Sequence, residues 1–521
     1  MPDADSAKPQ TTEYDVLIVG SGFAGLCMAI RLRRAGHRYV LLEQAASLGG
    51  TWQANRYPGA ACDIPSSLYC FSFAPNPGWS RAYPAQAEIE GYLNHCADCF
   101  GVRTQMRFNH TVTAARFDEQ RRRWRVEVGN GAQVLHARAL ILATGGLSRP
   151  KLPAIAGIEQ FAGPCFHTAR WPADAALAGK RVGIIGTGAS AIQVLPSIVD
   201  EAAQVTVFQR TPAWIIAKPN WAVSRWRKAL YRLVPSSQRV SRVFNYWRHE
   251  LFAVAFTRLP ALLRVLEILP RLQLRVQVRD RQLRARLTPN YRVGCKRVLL
   301  SSTFYPALCR DDVELVTMPI ARINATGIET SDGVHHRLDV LISCTGFEAA
   351  EACAPFPVAG RDGLDLDQAW RDGQNAYLGT TVSGFPNLFI MSGPNTALGH
   401  NSMVYMIEAQ ASYVSDAIAH LARRPGAALD VDAVLQREYN IALQQRLAVR
   451  SGTPVDAAVG TAPATDSTPH CGRISPLYFA IACGVLIRRR ITGWVEPVCA
   501  VSAFSDIPIR AAPTDSAGLL P

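Results

Sequence analysis

The chain has 521 residues, of which 48% are hydrophobic, and a net charge of +14 at pH 7. This length predicts two or three domains, and the apolar content excludes a chain that is disordered over most of its length. The charge excess lies in one segment, since residues 221–297 carry 18 Lys and Arg but 3 Asp and Glu, a net charge of +15. The rest is nearly neutral, so we expect no nucleic-acid partner. A solvated helical face explains the basic segment, with phosphate binding or peripheral membrane contact through residues 220–290 as alternatives.

The cysteines and the N-terminus indicate a cytoplasmic protein. There are 13 cysteines, an odd number without regular spacing, which is typical of reduced thiols. Residues 1–13 lack the basic start and apolar run of a signal peptide, so we expect none there. Because these residues are polar, we expect them to be a disordered end. No apolar run reaches the ~18–20 residues of a transmembrane helix. Zinc-ligand spacings and a G-x-S-x-G elbow are absent from the sequence, so we expect no metal site and no hydrolase chemistry.

The first motif is a glycine-rich loop between a strand and a helix. An apolar run from Asp15 ends at Gly20, and G-S-G-F-A-G then leads into a helix with an apolar face. Gly20 makes the turn, Gly22 lets a pyrophosphate approach the backbone, and Gly25 lets helix and strand pack closely. The next strand ends at Glu43, where a carboxylate can accept hydrogen bonds from ribose hydroxyls. The unit therefore predicts binding of FAD or NAD.

A second loop of the same kind follows the strand that begins at Arg181. Its residues are Gly186, Thr187, Gly188 and Ala191. The following strand ends in Arg210 and Thr211 rather than in an acid, and this pair would bind a 2′-phosphate that a carboxylate would repel. The second unit therefore predicts NADP binding. Two such units in one chain indicate a flavoprotein in which hydride passes from one cofactor to the other.

The fold class that follows is α/β, with two Rossmann-like dinucleotide-binding domains and a helical insertion. Strand-like segments ending in Thr144-Gly145 and Thr345-Gly346 mark where the chain leaves one domain and returns to it. The predicted ranges are a disordered end at 1–13, an FAD-binding domain at 14–145 and 341–500, an NADPH-binding domain at 146–219 and 291–340, a basic helical insertion at 220–290, and a tail at 501–521.

Four motifs together resemble the type I Baeyer–Villiger monooxygenases of the flavin-containing monooxygenase superfamily. They are the paired glycine loops, the stretch GGTWQANRYPGAACD at 49–63, the stretch FAGPCFHTARWP at 161–172, and DVLISCTGF at 339–347. The resemblance covers roughly residues 14–445. It implies an enzyme with FAD and NADPH as cofactors, which forms a C4a-peroxyflavin with O2 and converts a small-molecule ketone into an ester or lactone.

The resemblance also implies roles for single residues. Arg297 matches the active-site arginine, and Asp63 matches the aspartate beside the flavin that orients it. Cofactor contacts are implied for Thr51, Trp52, Tyr69 and Val112 toward FAD, and for Lys296 toward the 2′-phosphate. The 161–172 stretch is implied to couple the two domains. Its residues suit a connector: Phe161 and Trp171 can anchor its ends, Gly163 frees the backbone, Pro172 stiffens the exit, and His167 can change hydrogen-bond partners.

Three alternatives remain. One is an N- or S-oxygenating flavin monooxygenase. A second is a disulfide reductase using Cys96 and Cys99, although a C-x-x-C in a helix of the flavin domain is better explained as two thiols one turn apart. The third is an uncoupled NADPH oxidase, because residues 451–475 lack aromatics where this family usually has a tryptophan–tyrosine cluster that caps the pocket. The following Pro476-Leu-Tyr-Phe resembles the usual closure only in part, so the segment 448–500 is atypical. The ketone and the oligomeric state are not readable from the sequence.

Overall fold

The computed structural model describes residues 12–258, 265–293, 296–348, 354–398 and 401–451. Its strands are β1 (Thr12–Val19), β2 (Tyr39–Leu42), β3 (Met106–Arg107), β4 (Val112–Asp118), β5 (Arg123–Val128), β6 (Gln133–Leu142), β7 (Cys165–His167), β8 (Arg181–Ile185), β9 (Gln204–Phe208), β10 (Ile215–Ile216), β11 (Leu299–Leu300), β12 (Val313–Val316), β13 (Ile320–Asn324), β14 (Gly327–Thr330), β15 (His335–Arg337), β16 (Val340–Ser343), β17 (Val358–Ala359) and β18 (Leu388–Ile390).

The α-helices in the described ranges are α1 (Phe23–Arg34), α2 (Thr51–Ala54), α3 (Gln86–Cys99), α4 (Ala191–Ile198), α5 (Arg225–Leu233), α6 (Pro235–Arg258), α7 (Ile268–Gln277), α8 (Arg281–Leu287), α9 (Phe304–Leu308), α10 (Leu366–Ala369), α11 (Met403–Arg423) and α12 (Ala433–Ser451). Short 3₁₀ turns cover Arg103–Gln105, Ile158–Gln160, Thr168–Arg170 and Arg361–Gly363. These helices and strands give the mixed α/β fold that the sequence predicts.

The first sheet has the strand order β17-β4-β5-β6-β1-β2-β3, and β18 also pairs with β6. Its centre is parallel, because β1 lies between β2 and β6 and runs in the same direction as both. Val16 and Ile18 of β1 pack against α1, α3 and α11 on one face, while Leu17 and Val19 pack on the other face with β4 and β5. All four are buried, as expected for a central parallel strand covered on both sides.

The second sheet is entirely parallel, with the order β12-β9-β8-β16-β7. Helices α4 and α9 cover one of its faces. A small antiparallel sheet of β13, β14 and β15 and the short pair β10 and β11 share buried side-chain clusters with it.

Two domain boundaries differ slightly from the sequence prediction. Val340–Ser343 forms β16 between β8 and β7, so the second sheet continues to Ser343 and the predicted return to the first domain at residue 341 comes three residues too early. At the other end, β1 begins at Thr12, inside the segment 1–13 that was expected to be disordered, because Thr12–Tyr14 pair with β6. Residues 1–11, the last part of the predicted first domain and the tail at 501–521 lie outside the described residues.

The basic segment forms the helices α5 to α8 within the predicted range 220–290. Among the described residues, no helix is both long enough and apolar enough to cross a membrane.

Candidate functional site

The first glycine loop forms a tight turn against the start of α1. Gly20 has a positive φ of 102°, and a Cβ on Gly25 would lie 1.8 Å from the Gly20 carbonyl oxygen. The helix begins after Gly22 without a side-chain cap and without an acidic residue in its first turn. Its free N–H groups and positive dipole end therefore face the loop, which suits a pyrophosphate.

Glu43 is held beside this loop at the end of β2. Its Oε2 accepts hydrogen bonds from the Ser21 amide at 2.8 Å and from Ser21 Oγ at 2.7 Å, and its Oε1 accepts one from the Ala45 amide at 2.9 Å. The His110 amide bonds to the Glu43 carbonyl at 2.9 Å, which brings the start of β4 at Val112 close to the same corner. The structure thus gathers Glu43 and Val112 next to the first glycine loop.

Thr51, Trp52 and Tyr69 gather near the same loop. A Cβ on Gly50, just before Thr51, would lie 2.9 Å from the Gly22 Cα. Trp52 Nε1 donates to the Tyr69 hydroxyl at 3.0 Å. The rings of Tyr69 and Phe23, the first residue of α1, pack edge to face with their centres 5.1 Å apart. The segment that contains Gly49 and Gly50 therefore packs directly against the first glycine loop.

Arg297 and Asp63 form an ion pair, with Arg297 Nη2 donating to Asp63 Oδ2. The two residues are 234 positions apart in the sequence. Their side chains are 48% and 26% exposed, respectively. A pair this open to solvent adds at most about 1 kcal/mol to stability, so its main effect is to orient the guanidinium.

The second glycine loop repeats the geometry of the first. Gly186 has a φ of +106°, and a Cβ there would lie 2.7 Å from the Cys344 carbonyl oxygen. A Cβ on Gly188 would meet nothing within 4 Å, so this part of the loop is open. Helix α4 begins at Ala191 with neither a side-chain cap nor an acidic residue in its first turn. The loop therefore presents free N–H groups to an incoming phosphate.

The residues expected at a 2′-phosphate lie around the end of β9. Arg210 is exposed, and the Thr211 carbonyl accepts a hydrogen bond from Thr187 Oγ1 at 3.2 Å. Lys296 Nζ lies 4.9 Å from the centre of the Tyr291 ring, and the Tyr291 hydroxyl donates to the Pro212 carbonyl at 3.0 Å. Tyr291 thereby brings Lys296 to the segment that carries Arg210 and Thr211.

His167 lies where the chain passes between the two sheets. It is 2% exposed, and its Nδ1 accepts a hydrogen bond from the Ala169 amide at 3.0 Å. Its ring packs edge to face with the Phe347 ring, with the two centres 5.5 Å apart. Burial lowers the pKa of His167, and a hydrogen bond with the Gly346 backbone opposes that shift. The histidine therefore rests on the segment by which the chain returns to the first sheet.

The outgoing and returning segments also pair with each other. The Lys151 amide donates to the Gly346 carbonyl at 2.9 Å, Thr345 Oγ1 donates to the Lys151 carbonyl, and Pro150 forms an isolated bridge with Phe347. Both crossings between the domains thus meet at one place, next to His167.

The other predicted connector residues are Phe161, Gly163, Trp171 and Pro172. Phe161 is buried, and a Cβ on Gly163 would lie 2.3 Å from the Asp339 carbonyl oxygen, so a glycine is required there. Trp171 packs edge-on against Phe166 at 5.1 Å, and Pro172 follows it. In the described part of the chain, none of the connector residues forms a hydrogen bond with Asp63 or Arg297.

Gln193 of α4 joins the two domains, and sequence reasoning missed it. Its Oε1 accepts hydrogen bonds from the Tyr57 hydroxyl at 3.0 Å and the Ala61 amide at 3.3 Å, and its Nε2 donates to the Ala61 carbonyl at 3.0 Å. Gly59 lies against the same helix, because a Cβ there would be 2.5 Å from the Gln193 carbonyl oxygen. The available signal was a polar residue in the otherwise apolar run AIQVLP.

Lys218 is a second cation near Asp63 that the sequence did not point out. Its backbone is held by Ser302 Oγ, with bonds of 3.0 and 3.2 Å, and its Nζ lies 5.4 Å from the centre of the Tyr83 ring. Burial lowers the pKa of Lys218, while the nearby Cys62 and Asp63 oppose that shift. The one signal was a single lysine in the apolar stretch AWIIAKPNW.

Cys96 and Cys99 both lie on α3, in agreement with two thiols one turn apart. Cys96 is buried in the core below the first sheet, whereas Cys99 is exposed and its Sγ lies 3.4 Å from His95 Nε2. Both are free thiols. The geometry gives no support to a redox-active pair.

The chain is similar in sequence and in fold to known oxidoreductases. Residues 17–246 match the family model described as pyridine nucleotide-disulphide oxidoreductase. A Baeyer–Villiger monooxygenase from Streptomyces coelicolor is 43% identical over 83% of this chain and 83% of its own length. A solved oxidised steroid monooxygenase bound to NADP superposes with a TM-score of 0.77 at 32% identity, covering 91% of this chain and 98% of that one. OTEMO in complex with FAD and NADP gives a TM-score of 0.77 at 29% identity, covering 85% of this chain and 92% of that one.

Proposed function

Because the chain belongs to the Baeyer–Villiger monooxygenases, we propose that it uses FAD, NADPH and O2 to insert one oxygen atom beside the carbonyl of a small ketone, giving an ester or lactone. The observation that carries the proposal is the ion pair between Arg297 and Asp63, which joins the two parts of the chain that hold the glycine loops. When bound, FAD supplies the chemistry that activates O2, and NADPH supplies the reducing hydride.

The first loop fits the phosphates and ribose of FAD. Gly20 and Gly25 allow a tight turn that a Cβ would block, and the first turn of α1 has no acidic residue. Glu43 offers a carboxylate beside this turn for ribose hydroxyls. Trp52 and Tyr69, next to α1, would form the wall against the flavin.

The second loop fits NADPH rather than NADH. Gly186 and Gly188 leave the start of α4 open to the pyrophosphate. Arg210, Thr211 and Lys296 lie on neighbouring segments and would hold the 2′-phosphate with two cations and a hydroxyl.

Arg297 is the residue that we propose acts on the reacting carbonyl. A guanidinium stays charged in any protein environment, so it can stabilise negative charge that develops on the ketone oxygen. Asp63 would hold the guanidinium ready, and the partial exposure of both side chains leaves room for Arg297 to turn toward a substrate. Lys218 would add a second positive charge near the same carboxylate.

The connector would link the positions of the two cofactors. His167 contacts the returning segment 345–347, so a movement of one domain relative to the other would change its surroundings. Gln193 would limit how far the domains separate, because its three hydrogen bonds tie α4 to the segment 57–61.

The alternatives predict different products. A heteroatom oxygenase would convert a sulfide into a sulfoxide but leave ketones unchanged, and an uncoupled oxidase would release hydrogen peroxide only. The segment 448–500 was the reason for considering an uncoupled oxidase. From residue 452 onward, it lies outside the described residues. We propose that the protein acts in the cytoplasm on a ketone and O2. We also propose that residues 220–290 contact a membrane surface.

The test is a product analysis. The purified, FAD-loaded protein receives NADPH, O2 and a panel of cyclic and aryl ketones beside one sulfide, while organic products are followed by mass spectrometry and hydrogen peroxide is measured in parallel. Ester or lactone from at least one ketone is the expected result. Sulfoxide without any ester, or peroxide alone across the panel, would contradict the proposal.

A further inference from the structure

In the described part of the chain, exposed apolar side chains are concentrated in the helical insertion. Among the described residues, 21 large apolar side chains are exposed, and 15 of them lie between Trp221 and Val276. Single exposed apolar residues are ordinary, but this concentration in one part of the chain indicates an interaction surface.

Helix α5 has a basic face and an apolar face, and neither is buried. Trp226, Leu230 and Leu233 follow one another at helical spacing and are 87%, 48% and 82% exposed. Arg225 and Arg232 lie to one side of this apolar face, and no residue of α5 is buried. This combination is typical of helices that lie in a membrane interface.

Helix α6 is attached to the flavin domain through its polar face. Gln238, Arg242 and Asn245 project from successive turns and bond to residues 67–76 of the first domain, at 2.8, 2.8 and 3.1 Å. The Arg242 side chain is only 11% exposed, and its guanidinium also lies 4.4 Å from the Tyr405 ring. These bonds fix the rotation of the helix about its axis.

The opposite face of α6 is therefore held outward, and it is apolar. Val240, Phe244, Trp247 and Leu251 are 68%, 67%, 51% and 67% exposed, and their spacing places them on one stripe. An ordinary surface helix turns such a stripe toward the core. Here the inner polar bonds prevent that, so the stripe is available to a partner.

We propose that α5 and the outer stripe of α6 bind the surface of a bilayer that contains anionic phospholipids. Residues 221–297 carry a net charge of +15, which complements such a surface, and the three exposed tryptophans at 221, 226 and 247 suit its interfacial layer. A second copy of the same basic face would repel the first. Residues 452–521 of this chain carry five basic and five acidic side chains, so they offer no charge complement.

Attachment of this kind would bring the enzyme to the place where apolar ketones concentrate. This consequence rests on the proposed function, whereas the attachment itself does not.

The attachment is measured by cosedimentation of the FAD-loaded full chain with two kinds of vesicle, one of phosphatidylcholine alone and one of phosphatidylcholine mixed with phosphatidylglycerol. We expect binding to the anionic vesicles, weakened by added salt, and little binding to the neutral ones.

The double variant Trp226→Ser/Leu233→Ser should lose vesicle affinity by about tenfold or more, since two apolar side chains would no longer enter the interface. Leu152→Ser, an exposed leucine outside the insertion, is the matched control and should bind like the parent. Unchanged binding by the double variant, or no binding of the parent at low salt, would overturn the proposal. A parent dimer that the double variant disrupts would assign the face to a second copy instead.

Oxidation of a water-soluble ketone, measured in the same preparations without vesicles, separates the two proposals. The double variant should keep the parent rate, because neither residue belongs to the site around Asp63 and Arg297. If the double variant loses vesicle binding but keeps full ketone oxidation, the change affects the membrane-binding surface and not the active site.

Discussion

Arg297 donates a hydrogen bond to Asp63 and thereby joins the segment before β11 to the segment that follows α2. The pair is partly exposed, which limits its contribution to stability and leaves the guanidinium free to be redirected. Around it lie Lys218, held over Tyr83, and Gln193, which ties the two domains together. The site is thus built where the domains meet rather than within either of them.

Arg210 should decide the choice of nicotinamide cofactor. We expect Arg210→Ala to raise the KM for NADPH by about tenfold to a hundredfold, because one charge-assisted hydrogen bond to the 2′-phosphate is lost. The KM for NADH, which lacks that phosphate, should stay the same. Steady-state kinetics with both cofactors measures this. Arg322→Ala, at an exposed arginine on β13, is the control and should alter neither value.

Lys218 should cost stability at neutral pH. Burial lowers its pKa from the ordinary 10.5, so the folded state disfavours the charged form. The contribution of this group to the free energy of unfolding is therefore fully present only above pH 10.5, and it is lost as the pH falls through the folded-state pKa. Lys218→Met should therefore leave the free energy of unfolding equal or higher near neutrality, while ester formation falls because a positive charge near Asp63 is lost. Urea unfolding and product yield test this, with Lys180→Met as the control. A strongly destabilised variant would show that the lysine is structural instead.

His167 should make stability depend on pH. Burial lowers its pKa below 6.5, so its contribution is present above pH 6.5 and is lost as the pH falls through the folded-state pKa. His167→Asn keeps an oxygen that can accept the Ala169 hydrogen bond but does not titrate. The difference in unfolding free energy between parent and variant should therefore shrink between about pH 7.5 and about pH 5. A difference that stays constant over this range would contradict the assignment.

Gly59 should be needed for the contact between the domains. It has a φ of +81°, and a Cβ there would lie 2.2 Å from Ser197 Oγ. Gly59→Ala should lower the free energy of unfolding by about 1–3 kcal/mol and increase the hydrogen peroxide released per NADPH. Gly179→Ala is the matched control, because its φ is +69° but a Cβ there meets nothing within 4 Å. Equal effects of the two changes would leave backbone strain as the only cause.

Local patterns predicted the parts of the fold that depend on neighbouring residues. Both glycine loops follow buried strands and precede helices, as their spacing indicated, because a tight turn and a close helix start require glycine at fixed positions. The family resemblance also paired Arg297 with Asp63, although no spacing argument could bring together residues 234 positions apart.

Other features depend on how the domains dock, and the sequence contains little of that information. The side chains of Gln193 and Lys218 gain their partners from the other side of the domain junction, so neither residue stood out from its own segment. The outward apolar stripe of α6 follows from the bonds of Arg242 and Asn245 to the flavin domain, which composition alone could not orient. Likewise, the pairing of β16 with β8 and β7 places Val340–Ser343 in the second sheet.

The most direct test of the account is the product ratio of Arg297→Met, measured as ester and hydrogen peroxide formed per NADPH consumed, with FAD and NADP⁺ binding determined in the same preparation. The control is Arg310→Met, which removes another partly exposed arginine paired with aspartates. We predict that ester formation falls about a hundredfold to a thousandfold while both cofactors still bind, and that the control keeps the parent ratio. Ester formation at the parent rate in Arg297→Met would contradict the central claim.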